Sequence, residues 1–274
     1  MTGPAQAVLF FPGAGGGPPD LAAYRAGPDD VTPFETIEYP GWRRYVADDF
    51  SPEALIAELT AQVVLRVPEG PIRIVGLSIG GHFGYAVALR LQALGREIAG
   101  FCAIDSFMIA SSAPSPGWQA RALARALELL RQLRLGAFVS FARSLFWRAL
   151  LRLTESRLAA SLRKIAPSGQ PLALSRFDPT FEMELSMRLL LRGMVPWIAS
   201  LDHAPAALDA PSILLRTRLA ARDDPAWRRR CPRIRVFEIL GEHQRLFEPD
   251  TPENIASLHQ TFIDVTGDWR EALP

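Results

Sequence analysis

The sequence predicts an α/β protein: a mostly parallel sheet covered by helices, interrupted by one all-helical insertion. Three observations carry that expectation. Short apolar runs alternate with helical patterns over the first hundred residues, the alternation stops between about 107 and 200, and it resumes from 212 onward. Strands this apolar, separated by helices, suit a sheet buried on both faces. The expected division is therefore a core of residues 1–106 and 201–274, with residues 107–200 inserted as helices.

The elements follow in order. Residues 7–12 (AVLFFP) and 35–39 (ETIEY) are bounded by Gly and Pro, as strands should be. Residues 52–67 carry apolar side chains at three- and four-residue spacing, with Ser51 placed to cap them. Residues 72–77 (IRIVGL) read as a buried strand, 79–94 as an apolar helix and 100–105 (GFCAID) as another buried strand. Within the insertion, 119–135, 137–153 and 181–191 read as helices, broken by Pro114, Pro116, Gly136, Pro167, Gly169 and Pro171. Alternation then resumes with a strand at 212–218, a helix at 223–230, a strand at 235–241 and a helix at 252–266.

Composition narrows the function. The 274 residues are 49% hydrophobic and 22% charged, enough for one large domain or one domain with an insertion. A net charge of +1 gives no global electrostatic case for nucleic acid. The charge is unevenly spread, however: residues 107–200 hold 13 basic and 5 acidic side chains, a net +8, which leaves −7 elsewhere. Two cysteines, Cys102 and Cys231, are too few for a disulfide framework or a Cys-ligated zinc site and suit a reducing cytosol. No basic segment precedes the first apolar run, and no stretch of about 18 apolar residues occurs, so a cytoplasmic protein with no membrane span is expected. No arrangement of His, Asp and Glu suggests a metal.

Chemistry concentrates at Gly76-Leu77-Ser78-Ile79-Gly80, a G-x-S-x-G motif followed directly by Gly81. It lies between a predicted strand and a predicted helix. There a sharp turn would present the Ser78 hydroxyl above the sheet edge, beside a helix N-terminus. A nucleophilic serine needs a base and a group to orient that base. Of four histidines, His82 lies one turn into the helix, too close to reach back; His203 follows the insertion in a loop; His259 is inside a helical pattern. His243, in GEHQRLF between the last strand and last helix, occupies the position that the chain order Ser, Asp, His requires. Asp105, ending the strand after the nucleophile, and Asp223 or Asp224, after the following strand, are candidates for the acid. Capping of the helix at 223–230 is a competing role for the latter two.

The segments FFPGAGG, IEYPGW, GPIRIVGLSIGGHFGYAVALRLQALG, AIDSF and GEHQRLF resemble the type I thioesterase domains of nonribosomal peptide and polyketide synthetases. The resemblance is strong over residues 7–107, weak through the insertion and moderate from 212 to 267. It implies an α/β-hydrolase fold whose helical insertion is a lid. It also implies a catalytic set of Ser78, Asp105 and His243, since that family carries the acid on the strand after the nucleophile in a D-S or D-T pair, as in Asp105-Ser106. The implied oxyanion donors are the backbone N–H of Ile79 and one from the loop after the first strand, with Ala14 favoured and Gly13 and Gly15 adjacent. The glycines at 15–17 are followed by no G-K-[ST], which argues against nucleotide binding.

The implied activity is release of an acyl or peptidyl chain from a carrier-protein thioester through an acyl-Ser intermediate, by hydrolysis or cyclisation. No cofactor is implied, because the phosphopantetheine arm belongs to the carrier. The implied partner is an acyl or peptidyl carrier domain, with no nucleic acid and no membrane. Arg143, Arg148 and Arg152, beside Phe138, Phe141, Phe146 and Trp147, would offer it a basic face. Two other readings stand beside this one. A stand-alone type II editing thioesterase generally places its acid after the later strand, where LAARDD here lacks the usual Gly-containing turn. A lipase- or esterase-like hydrolase would act on oxygen esters. An intact Ser–Asp–His set counts against a purely binding protein.

Overall fold

The computed structural model describes residues 8–16, 34–107, 117–165, 174–201, 206–243, 246 and 251–266. Strands β1 (Val8–Phe11), β2 (Phe34–Thr36), β3 (Ile72–Leu77), β4 (Ile98–Ile104), β5 (Ser212–Arg216) and β6 (Ile234–Glu238) form one sheet, in the order β2-β1-β3-β4-β5-β6. Every described pairing is parallel. Parallel neighbours need helical crossovers, and these cover both sheet faces, so the inner strands β1, β3, β4 and β5 are largely buried apolar runs rather than alternating ones. All four residues of β1 are buried, as are the first five of β3.

The core helices are α2 (Pro52–Arg66), α3 (Ile79–Ala93), α8 (Asp224–Arg230) and α9 (Pro252–Thr266), with a short 3-10 turn at Arg218–Asp223. Alternate residues of the strands feed two separate layers. Phe10, Val75, Cys102 and Ile213 join Leu258 and Phe262 of α9 in one apolar cluster. Phe101, adjacent to Cys102 and so directed to the opposite face, packs against Tyr85 of α3 and Trp227 of α8. Burying one such large side chain contributes about 1.5–3 kcal/mol.

The chain separates into two compact units, residues 1–39, 52–109 and 197–274 in one, and 40–51 and 110–196 in the other. Residues 40–51, expected with the core, cluster instead with the helices. Gly193 leaves room only for the ring of Phe50, and Arg163 donates to the carbonyl of Val46. The helical unit contains α1 (Trp42–Tyr45), α4 (Trp118–Arg131), α5 (Leu135–Ile165), α6 (Leu174–Phe177) and most of α7 (Pro179–Ser200). Its interior is tied by a buried carboxylate, Glu184, which accepts both bonds of Arg148 Nε at 2.8 and 2.9 Å and one from the Ser144 hydroxyl. Trp147 donates to Asp178 at 3.0 Å, amid the rings of Phe146, Phe177 and Phe181.

The helical boundaries differ from the sequence expectation. Gly136 lies in the first turn of α5 and breaks nothing. The break comes at Leu133, whose φ of +55° stops α4 without a glycine. Helix α5 continues to Ile165, and α7 continues through Pro196 to Ser200. Pro114, Pro116, Pro167, Gly169 and Pro171 lie outside the described residues. No helix among the described residues is long and apolar enough to cross a membrane.

Candidate active site

β3 delivers Ser78 to the C-terminal edge of the sheet, and α3 begins at the next residue. The turn between them is abrupt. Ser78 sits at φ +55°, ψ −123°, a region that side-chain-bearing residues rarely occupy and one that stores strain at functional turns. Its N–H is anchored to the Ile104 carbonyl at 2.8 Å. A Cβ at Gly80 would collide with the Phe11 and Pro12 carbonyls, and one at Gly81 with the Ser106 hydroxyl. The two glycines after the serine are thus what lets α3 start so close to β1 and β4.

Asp105 ends β4 and is fully buried, in a second left-handed turn at φ +44°. The third member arrives from the far side of the sheet. After β6, Gly241 at φ +107° turns the chain, a conformation only glycine adopts without strain, and His243 follows two residues on. His243 Nε2 lies 3.0 Å from Ser78 Oγ, and Nδ1 lies 2.7 Å from Asp105 Oδ2. An ionised carboxylate accepts from Nδ1–H, which leaves Nε2 free to accept the serine proton. Asp105 Oδ1 takes the backbone N–H of Thr217, immediately after β5, at 2.8 Å. Burial opposes ionisation of Asp105, but the bonds from His243 and Thr217 outweigh it and hold the carboxyl below the usual carboxylate range. The Phe107 ring meets the imidazole of His243 edge-on, with centroids 4.6 Å apart.

The other candidates are placed differently. Asp224 is engaged by Arg216 at 2.9 and 3.2 Å, and Asp223 lies 3.8 Å from Arg222. Neither carboxylate caps α8 with its side chain. His82 is buried in α3, His259 lies on α9, and His203 is outside the described residues. Burial pushes the Cys231 thiol up to about 12 and the Cys102 thiol up as well, so neither offers a thiolate nucleophile.

The loop after β1 runs beside the serine: a Cβ on Gly13 would lie 3.7 Å from Ser78 Cβ. Ala14, half-buried, is in the turn closed by Gly16 N–H donating to the Gly13 carbonyl at 3.0 Å. Tyr39 donates its hydroxyl proton to the Pro12 carbonyl at 2.7 Å and anchors the start of this loop. Ile79 is the first residue of α3, where N–H groups have no partner within the helix. Sequence reasoning did not single out Thr217, Phe107 or Tyr39; the YPG turn in IEYPGW was the only available signal for the last. No group of three or more potential metal ligands occurs among the described residues.

The sheet order, the strained strand-to-helix turn and the hydrogen-bonded Ser78, His243 and Asp105 define an α/β-hydrolase. Within that class the chain belongs to the thioesterase domain family, whose model matches residues 6–263. Among solved structures, the thioesterase domain of NocB, in a covalent complex with a fluorophosphonate nocardicin G analogue, is similar with a TM-score of 0.57 at 18% identity over 96% of each chain. The Vlm2 thioesterase domain, bound with a dodecadepsipeptide, is similar with a TM-score of 0.58 at 15% identity, over 96% of this chain and 93% of that one. AB3403, a four-domain nonribosomal peptide synthetase, matches 100% of this chain with 20% of its own length, at 16% identity and a TM-score of 0.57. At these identities the likeness is one of fold. No curated protein sequence matches the chain.

Proposed function

We propose that this thioesterase releases an acyl or peptidyl chain from the phosphopantetheine arm of a carrier protein through an acyl-Ser78 intermediate. The observation that carries the reading is the continuous hydrogen-bonded line Ser78–His243–Asp105, at 3.0 and 2.7 Å. Ser78 Oγ attacks the thioester carbonyl while His243 Nε2 takes its proton. The oxyanion is received by the N–H groups of Ile79 and Ala14. His243 then returns the proton to the departing thiol, leaving the ester on Ser78. Water, or a nucleophile within the chain itself, then attacks the ester carbonyl and gives its proton to His243, which passes it to Ser78 Oγ as the product leaves. Asp105 stays ionised throughout and stabilises the imidazolium.

The carrier brings the phosphopantetheine, so no cofactor enters these steps. Residues 107–200 serve as the lid that shields the acyl-enzyme from water and selects its chain. Fold likeness to the domains of NocB, Vlm2 and AB3403 supports a synthetase context, and two buried, free cysteines suit a cytoplasmic site of action. The position of Asp105, on the strand directly after the nucleophile, favours this reading over a stand-alone editing enzyme.

The test is a comparison of one acyl chain presented as a carrier thioester and as a simple oxygen ester. The carrier thioester should turn over with much the higher kcat/KM. Preference for the oxygen ester would replace this reading with an esterase.

A further inference from the structure

His82 follows the serine turn by four residues, yet plays no part in the steps above. It has no exposed surface. Arg230 Nη1 lies 2.9 Å from His82 Nδ1, and His82 Nε2 lies 3.1 Å from the carbonyl oxygen of Phe107. Arginine offers only donors, so Nδ1 accepts and the ring proton sits on Nε2, donated to Phe107. The direction of the relay is thereby set: Arg230 to His82 to the Phe107 carbonyl. Burial, and then the charge of Arg230, push His82 down to about 3, so the ring remains the neutral acceptor that Arg230 requires. Trp227 stacks on His82 with centroids 5.2 Å apart and planes 19° apart, and its indole N–H donates to the Ser106 carbonyl at 2.7 Å. Arg230 itself is held by the Ile198 carbonyl at 3.0 Å.

The two carbonyls held in this way, 106 and 107, directly follow Asp105. That residue occupies a left-handed turn that must be maintained against its own backbone preference if the carboxylate is to reach His243. Phe107, the end of the same turn, places its ring against the His243 imidazole. We infer that His82, backed by Arg230 and Trp227, is a positioning residue that locks the 105–107 turn so that Asp105 and Phe107 hold His243 in working orientation. The inference rests on the proposed roles of Ser78, Asp105 and His243. A ring that merely filled the core could be exchanged for phenylalanine; a relay could not.

Three variants test it. His82→Phe keeps the ring and its stack but deletes both hydrogen bonds. It should lower kcat by at least about tenfold, with KM and the circular dichroism spectrum unchanged, since small misplacements of reacting groups are costly. His82→Gln, whose amide can accept from Arg230 and donate to Phe107, should recover most of the lost kcat. Trp227→Phe removes the N–H given to Ser106 and trims the ring stacked on His82, and should lower kcat in the same way to a smaller extent. The wild-type protein is first labelled on Ser78 with a fluorophosphonate. Absence of label overturns the proposed function and this inference with it. With label present, a His82→Phe kcat within twofold of wild type, or a His82→Gln variant no better than His82→Phe, overturns this inference alone. If His82→Phe does not fold, Trp227→Phe decides on the same readout, and a wild-type kcat in that variant overturns the inference.

Discussion

Asp105 is asked to be buried and charged at once, two demands that oppose each other. The N–H of Thr217 on one oxygen and His243 on the other reconcile them. An amide at 105 would keep the shape and lose the charge, and it could hold the imidazole in the wrong tautomer. Asp105→Asn should therefore reduce kcat by roughly 10³–10⁴-fold, whereas Asn at 223 or 224 should be mild because Asp224 is occupied by Arg216. Steady-state kinetics with a carrier thioester ranks the three; a larger loss at 223 or 224 would reassign the acid. A second prediction at this scale concerns pH. Because His82 is pushed down to about 3 when folded, the unfolded chain binds a proton there below about 6.5 that the native chain refuses. Stability should fall with falling pH through that window, by about 1.4 kcal/mol per unit from this group at full effect. Asp105, held below its ordinary range, acts in the same direction: the stability it contributes is lost as pH falls through its native value. Urea unfolding of wild type and His82→Gln between pH 7 and 5 should show a steeper loss in the wild type. Parallel slopes would contradict the burial of a neutral imidazole.

At the scale of elements, the strand-to-helix junctions were the legible part of the chain. Apolar runs bounded by Gly and Pro mark β1, β3, β4 and β5 closely, and the periodic stretch at 252–266 is α9. Such features are local, set by the face each residue presents. What could not be read was non-local: the pairing of Arg230 with His82 spans 148 positions, and residues 40–51 join the helices through Phe50 and Val46. Nor does periodicity reveal that Leu133 rather than Gly136 takes the left-handed turn between α4 and α5. The same elements carry a prediction for the helical insertion. As a lid it should open more readily than the sheet, since lids are drawn from the less stable parts of a fold. Amide exchange in α4 and α5 should be faster than in β3 and β4, and should slow once an acyl-enzyme analogue occupies Ser78. Exchange that is uniform, and indifferent to the analogue, would remove the lid role.

For the whole molecule, the net +8 of residues 107–200 against −7 elsewhere gives a chain of near-zero charge an uneven one in detail. Arg148 spends its charge on Glu184, and Arg143 lies 3.9 Å from Asp178, so these two serve the helical fold first. Arg131 and Arg157 are exposed and are the first to reverse in testing the proposed docking of an acidic carrier. Steering of that kind changes encounter rates more than intrinsic affinity, so it modulates the central chemistry without defining it. The chemistry proposed is the transfer of a chain from a carrier thiol to one serine. Intact-mass analysis of the protein mixed with a chain-loaded carrier tests it most directly. The protein should transiently gain the mass of the chain, on a peptide containing Ser78, while the carrier loses it, and Ser78→Ala should gain nothing. An adduct that persists in Ser78→Ala, or turnover at the wild-type rate in that variant, would contradict the account.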